Sequence, residues 1–408
     1  MQVWNCQMKT AFDGLAIFGA EPAFKEPLHV GRPNIGDRER LCGRIHSMLD
    51  TRWLSNSGPF VQEFEGRVAE LVGVKHCIAT CNATVALEIA IRALALKGEI
   101  IVPAFTFVAT AHALQWQQIT PVFCDIDPAT HNINARKIES LITPRTTGIL
   151  AVHLWGRPCP VDELQAIADS NGLALLFDAA HAFGCKYRGR NIGSFGRAEV
   201  LSFHATKVVN AGEGGAVVTN DDTLDARIRL MKNFGFSDYD TVTCIGTNGK
   251  MSELSAAMGL TNLESLEEFI RANRVNFETY REHLAGIRGL SLLVYDDQDS
   301  PNYHYVVAEI NAAEMGLTRD QLLSVLHAEN VLARRYFYPG AHRMEPYRSS
   351  FPEAGLLLPD TEEVARRVLV LPTGTAVTPA DIERICAIIR SALEHSDEIS
   401  EALACASR

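Results

Sequence analysis

Between residues 76 and 220 the chain alternates seven short apolar runs with amphipathic segments, and this alternation restricts the fold more than any other feature. The runs are HCIAT (76–80), EIIV (99–102), PVFCDI (121–126), GILAVHL (148–154), LALLFDA (173–179), EVLSFH (199–204) and GAVVTN (215–220). Helix-like segments such as ATVALEIAIRALAL and VDELQAIADSN lie between most of them. Continuous apolar strands separated by helices predict a mostly parallel sheet covered on both faces, an α/β fold.

The flanks read differently. Residues 1–37 lack periodicity and contain Pro22, Pro27 and Pro33, as an extended arm would. From Asp37, the spacing of Leu41, Ile45, Met48 and Leu49 predicts a helix. A second helix places Phe64, Val68, Leu71 and Val72 on one face and stops at Gly73. A helical stretch from about Met251 to Leu284 leads into a strand at 304–310, a helix around Thr318 to Val331 and a final helix from Pro379. The expected division is an arm (1–37), a large α/β domain (38–265) and a smaller C-terminal α+β domain (266–408).

Composition removes several function classes. A net charge of −11 argues against a general nucleic-acid binder, which needs a basic surface to displace counterions. The ten cysteines follow no repeated CxxC spacing, so neither a disulfide framework nor a zinc or other metal site is expected, and they read as buried thiols. The N-terminal MQVWNCQMKTAFDG lacks a basic patch followed by an apolar core, which speaks against a secretory signal. The uncharged stretch from Ile100 to Cys124 is interrupted by Pro103, His112 and three glutamines, so no membrane span is expected. These readings point to a cytoplasmic protein.

Open α/β sheets bind ligands at the carboxyl ends of their strands, and three such ends carry unusual residues. Cys81-Asn82-Ala83-Thr84 opens a helix with small residues, where backbone N–H groups can cradle a phosphate, although an Asn N-cap alone would look the same. Asp178 closes the run LALLF, where a carboxylate needs cationic or donor partners to stay ionised, or else serves as a cap. Lys207 follows SFHAT and precedes Gly212-Glu213-Gly214-Gly215. A lysine there can be desolvated and made nucleophilic towards an aldehyde, whereas most lysines are merely solvated. Together the three supply what a pyridoxal phosphate site requires: a phosphate cradle, an acid for the pyridinium nitrogen and an amine for a Schiff base.

The segments GRPNIGD, WLSNSGPFVQEFE, VPAFTFVATAHA, TPVFCDIDPATHNI, FDAAHAFG, SFHATKVVNAGEGGAVVTND and GTNGKMSELSAAMG resemble the sugar aminotransferases of the DegT/DnrJ/EryC1/StrS family, from about Gly31 to the end of the chain. The resemblance implies the PLP-dependent aspartate aminotransferase type I fold. Within the family the chain looks most similar to nucleotide-sugar 4-aminotransferases acting on dTDP-4-keto-6-deoxyglucose. It also implies roles. Lys207 matches the Schiff-base lysine, Asp178 the acid at the pyridine nitrogen, and His181 the residue, often Gln, beside the phenolic oxygen. Phe107 matches the aromatic stacked on the ring, Ala83 and Thr84 the phosphate-binding turn, and Ser202 a hydroxyl donor. Asn248 matches an Asn that reaches the phosphate of a neighbouring subunit's cofactor, which implies a homodimer with shared sites.

Two segments depart from the family pattern. GTNGKM has Lys250 where many relatives carry Arg, and YFYPGAHRMEPYR differs at Gly340 and Arg343. His304, Tyr338, His342 and Lys250 are candidate sugar-pocket residues, although the first three are more often structural aromatics or core imidazoles. The resemblance implies amino transfer from L-glutamate, through pyridoxamine phosphate, to the 4-keto group of a nucleotide-linked sugar. A 3-keto sugar aminotransferase is the main alternative. A pyridoxamine-dependent dehydratase would be expected to replace Lys207 with His, and a non-enzymatic regulator to lose the Lys, the Asp or the phosphate turn.

Overall fold

A computed structural model describes residues 14–406. The central sheet has seven strands: β1 (His76–Thr80), β2 (Glu99–Pro103), β3 (Thr120–Cys124), β4 (Thr146–Val152), β5 (Ala174–Asp178), β6 (Ala198–Ser202) and β7 (Gly215–Thr219). Their order across the sheet is β1-β7-β6-β5-β4-β2-β3. All neighbours are parallel except β7, which runs against both β1 and β6. Every residue of β2, β6 and β7 is buried, as expected of strands covered on both faces. Separate apolar cores fill the two sides, one around Phe64, Phe177 and Phe203, the other around Leu87, Ile100 and Leu176. This is the type I aminotransferase fold predicted above.

All seven expected strands form, with no end moved by more than two residues. The largest change is in β4, which starts at Thr146 and stops at Val152, so that His153 and Leu154 enter a tight turn. Helix Pro59–Val72 buries Val61, Phe64, Val68 and Val72, whereas Leu71 is 45% exposed and does not share their face. In place of one helical stretch from Met251, two helices form, Glu253–Leu263 and Leu266–Leu284. The C-terminal part holds a three-stranded antiparallel sheet in which Val306–Ile310 is flanked by Leu290–Leu292 and Val368–Leu371. Helix Pro379–Glu394 starts where expected, and a further helix, Ser396–Ala406, follows it. Among the described cysteines five are buried thiols, but Cys42 is exposed and Cys81 and Cys244 are half-buried.

The expected arm is held down from Leu15 onward, and the segment before Gly14 lies outside the described residues. Leu15, Phe24 and Leu28 join the C-terminal core, and Leu28–His29 pairs in parallel with Val331–Leu332. Glu329 caps this arrangement by accepting from the amides of Ala16 and Ala23, each at 2.7 Å. Further on, Asn34 donates to Val208 O at 3.1 Å, and its own carbonyl accepts from Asn210 Nδ2 at 2.8 Å. Its Oδ1 accepts from Thr375 N at 3.1 Å. No described helix is long and apolar enough to cross a membrane.

Candidate active site

The carboxyl ends of β1, β2, β5 and β6 open on one side of the sheet, and antiparallel β7 presents its first residue, Gly215, to the same side. There a cavity of about 650 Å³ is lined by Ala83, Thr84, Phe107, Asp178, His181, Ser202 and Lys207. Seven of the residues singled out from sequence therefore meet in one place, although they span more than a hundred positions of chain.

The turn from β1 into helix Ala83–Ala93 leaves backbone donors free. Asn82 caps the helix by accepting from Val85 N at 2.9 Å. Among the described residues, no protein acceptor takes the amides of Ala83 and Thr84. No acid occupies the first turn, so the positive helix end stays uncompensated. Gly215 makes this packing possible: a Cβ there would lie 2.5 Å from Ala83 N and 2.5 Å from Asn82 C.

Asp178 ends β5 as a buried carboxylate. Thr110 Oγ1 donates to its Oδ2 at 2.9 Å, and Ala180 N to its Oδ1 at 3.1 Å. Because Thr110 spends its proton on Asp178, Thr106 is the donor in the 3.0 Å bond between the two threonines. Burial pushes the Asp178 carboxyl above its ordinary range, while the Ala180 and Thr110 donors and the charge of Lys207 pull it back.

Lys207 is half-buried, and its Nζ lies 3.4 Å from Tyr305 Oη. Desolvation lowers its pKa to about 8, against the smaller opposing effect of Asp178. The neutral, nucleophilic amine is therefore accessible near physiological pH. His204 and Thr206 on the same loop also line the cavity, as does Glu213. His181 stays neutral, its pKa driven well below the usual imidazole value by burial and then by the charges of Lys207 and His304.

The other candidates fall elsewhere. His304 sits behind the Lys207 loop, where its Nε2 donates to Thr206 O at 2.7 Å. It is the next residue, Tyr305, that faces the cavity. His342 is buried against Glu362, with Nε2 2.7 Å from Oε1, and does not line the cavity. Tyr338 lies under Arg319 and Arg335, which stack on its ring at 5.0 and 4.7 Å. Asn248 is exposed and bridged to Asn233, and Lys250 donates to Asn233 Oδ1 at 3.0 Å. In a single chain neither reaches the cavity.

Sequence reasoning missed Thr110, Tyr305, Arg334, Tyr336 and Phe337. The spacing of Thr106 and Thr110, one helical turn apart just past β2, was the available signal for the first. Arg334 stands at the mouth with its guanidinium 4.8 Å from the Tyr336 ring centre, and it forms no ion pair among the described residues.

Comparison with known proteins agrees with this geometry. A model of the DegT/DnrJ/EryC1/StrS aminotransferase family matches residues 36–390. A dTDP-4-amino-4,6-dideoxy-D-glucose transaminase of Escherichia coli is 37% identical over 366 residues, covering 88% of this chain and 97% of its own. The crystal structure of DesI in the presence of its TDP-sugar product is 52% identical, covers 96% of this chain and 99% of its own, and superposes with a TM-score of 0.92. DesV of S. venezuelae is 30% identical, with 89% and 99% covered and a TM-score of 0.82. The matched span contains the whole lysine, aspartate and phosphate-turn constellation, so the chain belongs to the DegT/DnrJ/EryC1/StrS family and is a pyridoxal phosphate-dependent aminotransferase.

Proposed function

We propose that this enzyme transfers an amino group from L-glutamate to the C4 keto group of a nucleotide-linked 4-keto-6-deoxy sugar, with dTDP-4-keto-6-deoxy-D-glucose as the substrate. The observation that carries the chemistry is the placement of a half-buried, desolvated amine, Lys207, and a buried carboxylate, Asp178, in one cavity without a direct ion pair between them. The regiochemistry rests on the identity to the E. coli transaminase and to DesI.

The residues fit the cofactor. Asp178 is a buried acid with two neutral donors and no cation against it, and a protonated ring nitrogen would supply that cation. The unsatisfied amides of Ala83 and Thr84, with Ser202 nearby, fit a phosphate. Lys207 fits the aldehyde and His181 the ring oxygen, and Phe107, which also lines the cavity, would pack on the ring. When bound, pyridoxal phosphate supplies an aldehyde that captures amines and a ring that takes up the electron pair released at the α-carbon.

The chain's own part is proton management and exclusion of water. The Lys207 amine, its pKa lowered to about 8, would take a proton from the donor's α-carbon and return it two atoms along, at the carbon of the former aldehyde. Asp178, oriented by Thr110 and Ala180, keeps the ring nitrogen protonated. The aromatic wall of Tyr305, Tyr336 and Phe337 keeps the reacting centre dry. Arg334 serves the diphosphate of the sugar nucleotide, and Arg334→Ala is expected to raise KM for that substrate far more than it lowers kcat.

The working unit we propose is a cytoplasmic homodimer whose chains divide near residue 265. The chain leaves Tyr239 fully exposed and Val242 and Ile245 largely so, on the loop that carries Asn248. A second copy would cover these side chains and bring Asn248 to the neighbouring cavity.

The decisive test is a single turnover. Enzyme loaded with its cofactor is exposed to glutamate, freed of it, and given either dTDP-4-keto-6-deoxyglucose or its 3-keto isomer, with aminosugar measured by mass spectrometry. Product from the 4-keto compound is expected. Product from the 3-keto isomer alone would replace this reading with the alternative regiochemistry.

A further inference from the structure

Behind the cavity wall a line of hydrogen bonds runs inward from the surface to His181. Arg367 Nη2 donates to Glu309 Oε2 at 2.7 Å, and Glu309 Oε1 lies 3.1 Å from His131 Nε2. His131 is fully buried, and its Nδ1 accepts the indole N–H of Trp155 at 3.1 Å. One ring nitrogen accepts and the other faces a carboxylate, so His131 is the neutral tautomer with its proton on Nε2. The backbone N–H of Trp155 then donates to His181 Nδ1 at 3.3 Å. With Nδ1 occupied as an acceptor, His181 carries its proton on Nε2.

Trp155 is itself held in an unusual state. It is fully buried in the left-handed region, at φ 62° and ψ 9°, where side chains with a Cβ are uncommon. The single Tyr295 hydroxyl proton goes to the Tyr305 carbonyl at 2.6 Å, and the Trp155 carbonyl lies 3.1 Å from the same oxygen. Its indole stacks at 26° on the His181 ring, with centroids 5.9 Å apart, and at 18° on Phe337 at 5.2 Å. Asn302 Nδ2 donates to the His181 carbonyl at 2.9 Å, which fixes the other end of that residue. Trp155 and Phe337 both stack on the His181 ring, and the Trp155 and Asn302 N–H groups bond its Nδ1 and its carbonyl.

We infer that Trp155 is a positioning residue for His181: His131, anchored by Glu309 and Arg367, seats the indole, and the strained Trp155 amide then fixes the tautomer and plane that His181 presents to the cofactor's ring oxygen. This rests on the placement of His181 proposed above. Glu309 lies on the central strand of the small sheet, so the line joins the C-terminal part of the chain to the active-site imidazole.

The test uses the full-length holoenzyme and two readouts besides activity. The first is the pH midpoint of the bound cofactor's visible absorbance. A donor on the ring oxygen disfavours a proton held nearby, so losing the donor moves the midpoint to higher pH. His131→Phe and Trp155→Phe are each expected to raise it by about half a pH unit or more. His131→Asn, whose amide oxygen can still take the indole N–H, is expected to leave it at the wild-type value. The second readout is the imidazole ¹⁵N spectrum, expected to show His181 protonated on Nε2 in the wild type and as a tautomer mixture in His131→Phe.

Folded His131→Phe and Trp155→Phe enzymes with wild-type midpoint and wild-type His181 tautomer would overturn the inference. His181→Ala separates it from the reading beneath it. If that variant leaves the midpoint unmoved while His131→Phe still mixes the tautomers, the line of bonds stands and the placement of His181 at the ring oxygen falls. Should His131→Phe fail to fold, Trp155→Phe carries the same comparison.

Discussion

Thr110 Oγ1 donates to Asp178 Oδ2 at 2.9 Å across 68 positions of sequence, and it is the only side-chain hydroxyl bonded to that carboxylate among the described residues. Thr110→Val keeps the shape and removes the donor. Affinity for pyridoxal phosphate is expected to fall about tenfold, as the loss of roughly 1.5 kcal/mol from a hydrogen bond to a charged group would give. Thr106→Val, one bond further away, should fall less. Titration of apoenzyme with cofactor measures both.

The lowered pKa of Lys207 sets the pH dependence of cofactor capture. Only the neutral amine attacks an aldehyde, so the rate at which apoenzyme develops the cofactor's visible band should climb as pH rises and level off above about 8. The charge of Asp178 raises the Lys207 pKa, so Asp178→Asn should move that midpoint down. A rate still climbing steeply at pH 10 would contradict a desolvated lysine.

Gly215→Ala tests the anion turn without touching an anion ligand. The new Cβ would fall 2.5 Å from backbone atoms of Asn82 and Ala83, which cannot swing aside as a flexible side chain could. An overpacking cost of about 1–3 kcal/mol is expected in thermal unfolding. Weaker cofactor binding should accompany it, since the amides of Ala83 and Thr84 would be displaced together.

His304 contributes a pH-dependent share of stability. Burial, with a smaller effect from the Lys207 charge, pushes its pKa down to about 4 against the opposing bond to Thr206. Between pH 6.5 and 4 the unfolded chain therefore binds a proton that the folded chain refuses, and stability falls as the pH drops through that window. His304→Gln can keep a donor for the Thr206 carbonyl and does not titrate. Its melting temperature should fall less steeply than that of the wild type over the same range.

The sheet was legible because its strands are buried on both faces, which leaves runs such as LALLF and GAVVT nearly free of polar residues. The strands Leu290–Leu292 and Val368–Leu371 were not read from the sequence. The first has only three residues and the second follows directly on helix Pro359–Arg367, so neither offers a pattern of its own. At the site, Lys207, Asp178 and the 82–84 turn could be read because charge or small size at a strand end is unusual. Thr110 and Tyr305 could not, since a hydroxyl in an apolar stretch has no sequence signature until its partner is known. Imidazole suggests chemistry more readily than phenol, yet the His304 ring turns to Thr206 O while the Tyr305 hydroxyl turns to Lys207 Nζ. Trp155 was hidden for another reason: nothing in LWG announces a left-handed tryptophan.

Asn34 has a mechanical consequence. Its side chain and carbonyl grip Val208 and Asn210, just past Lys207, while its Oδ1 is anchored to Thr375, in the C-terminal part of the chain. A few residues upstream, the same stretch of chain is laced to Val331–Leu332. The reactive loop is thus tethered to the C-terminal body by a strap, and any swing of that body tugs on the segment that holds Lys207.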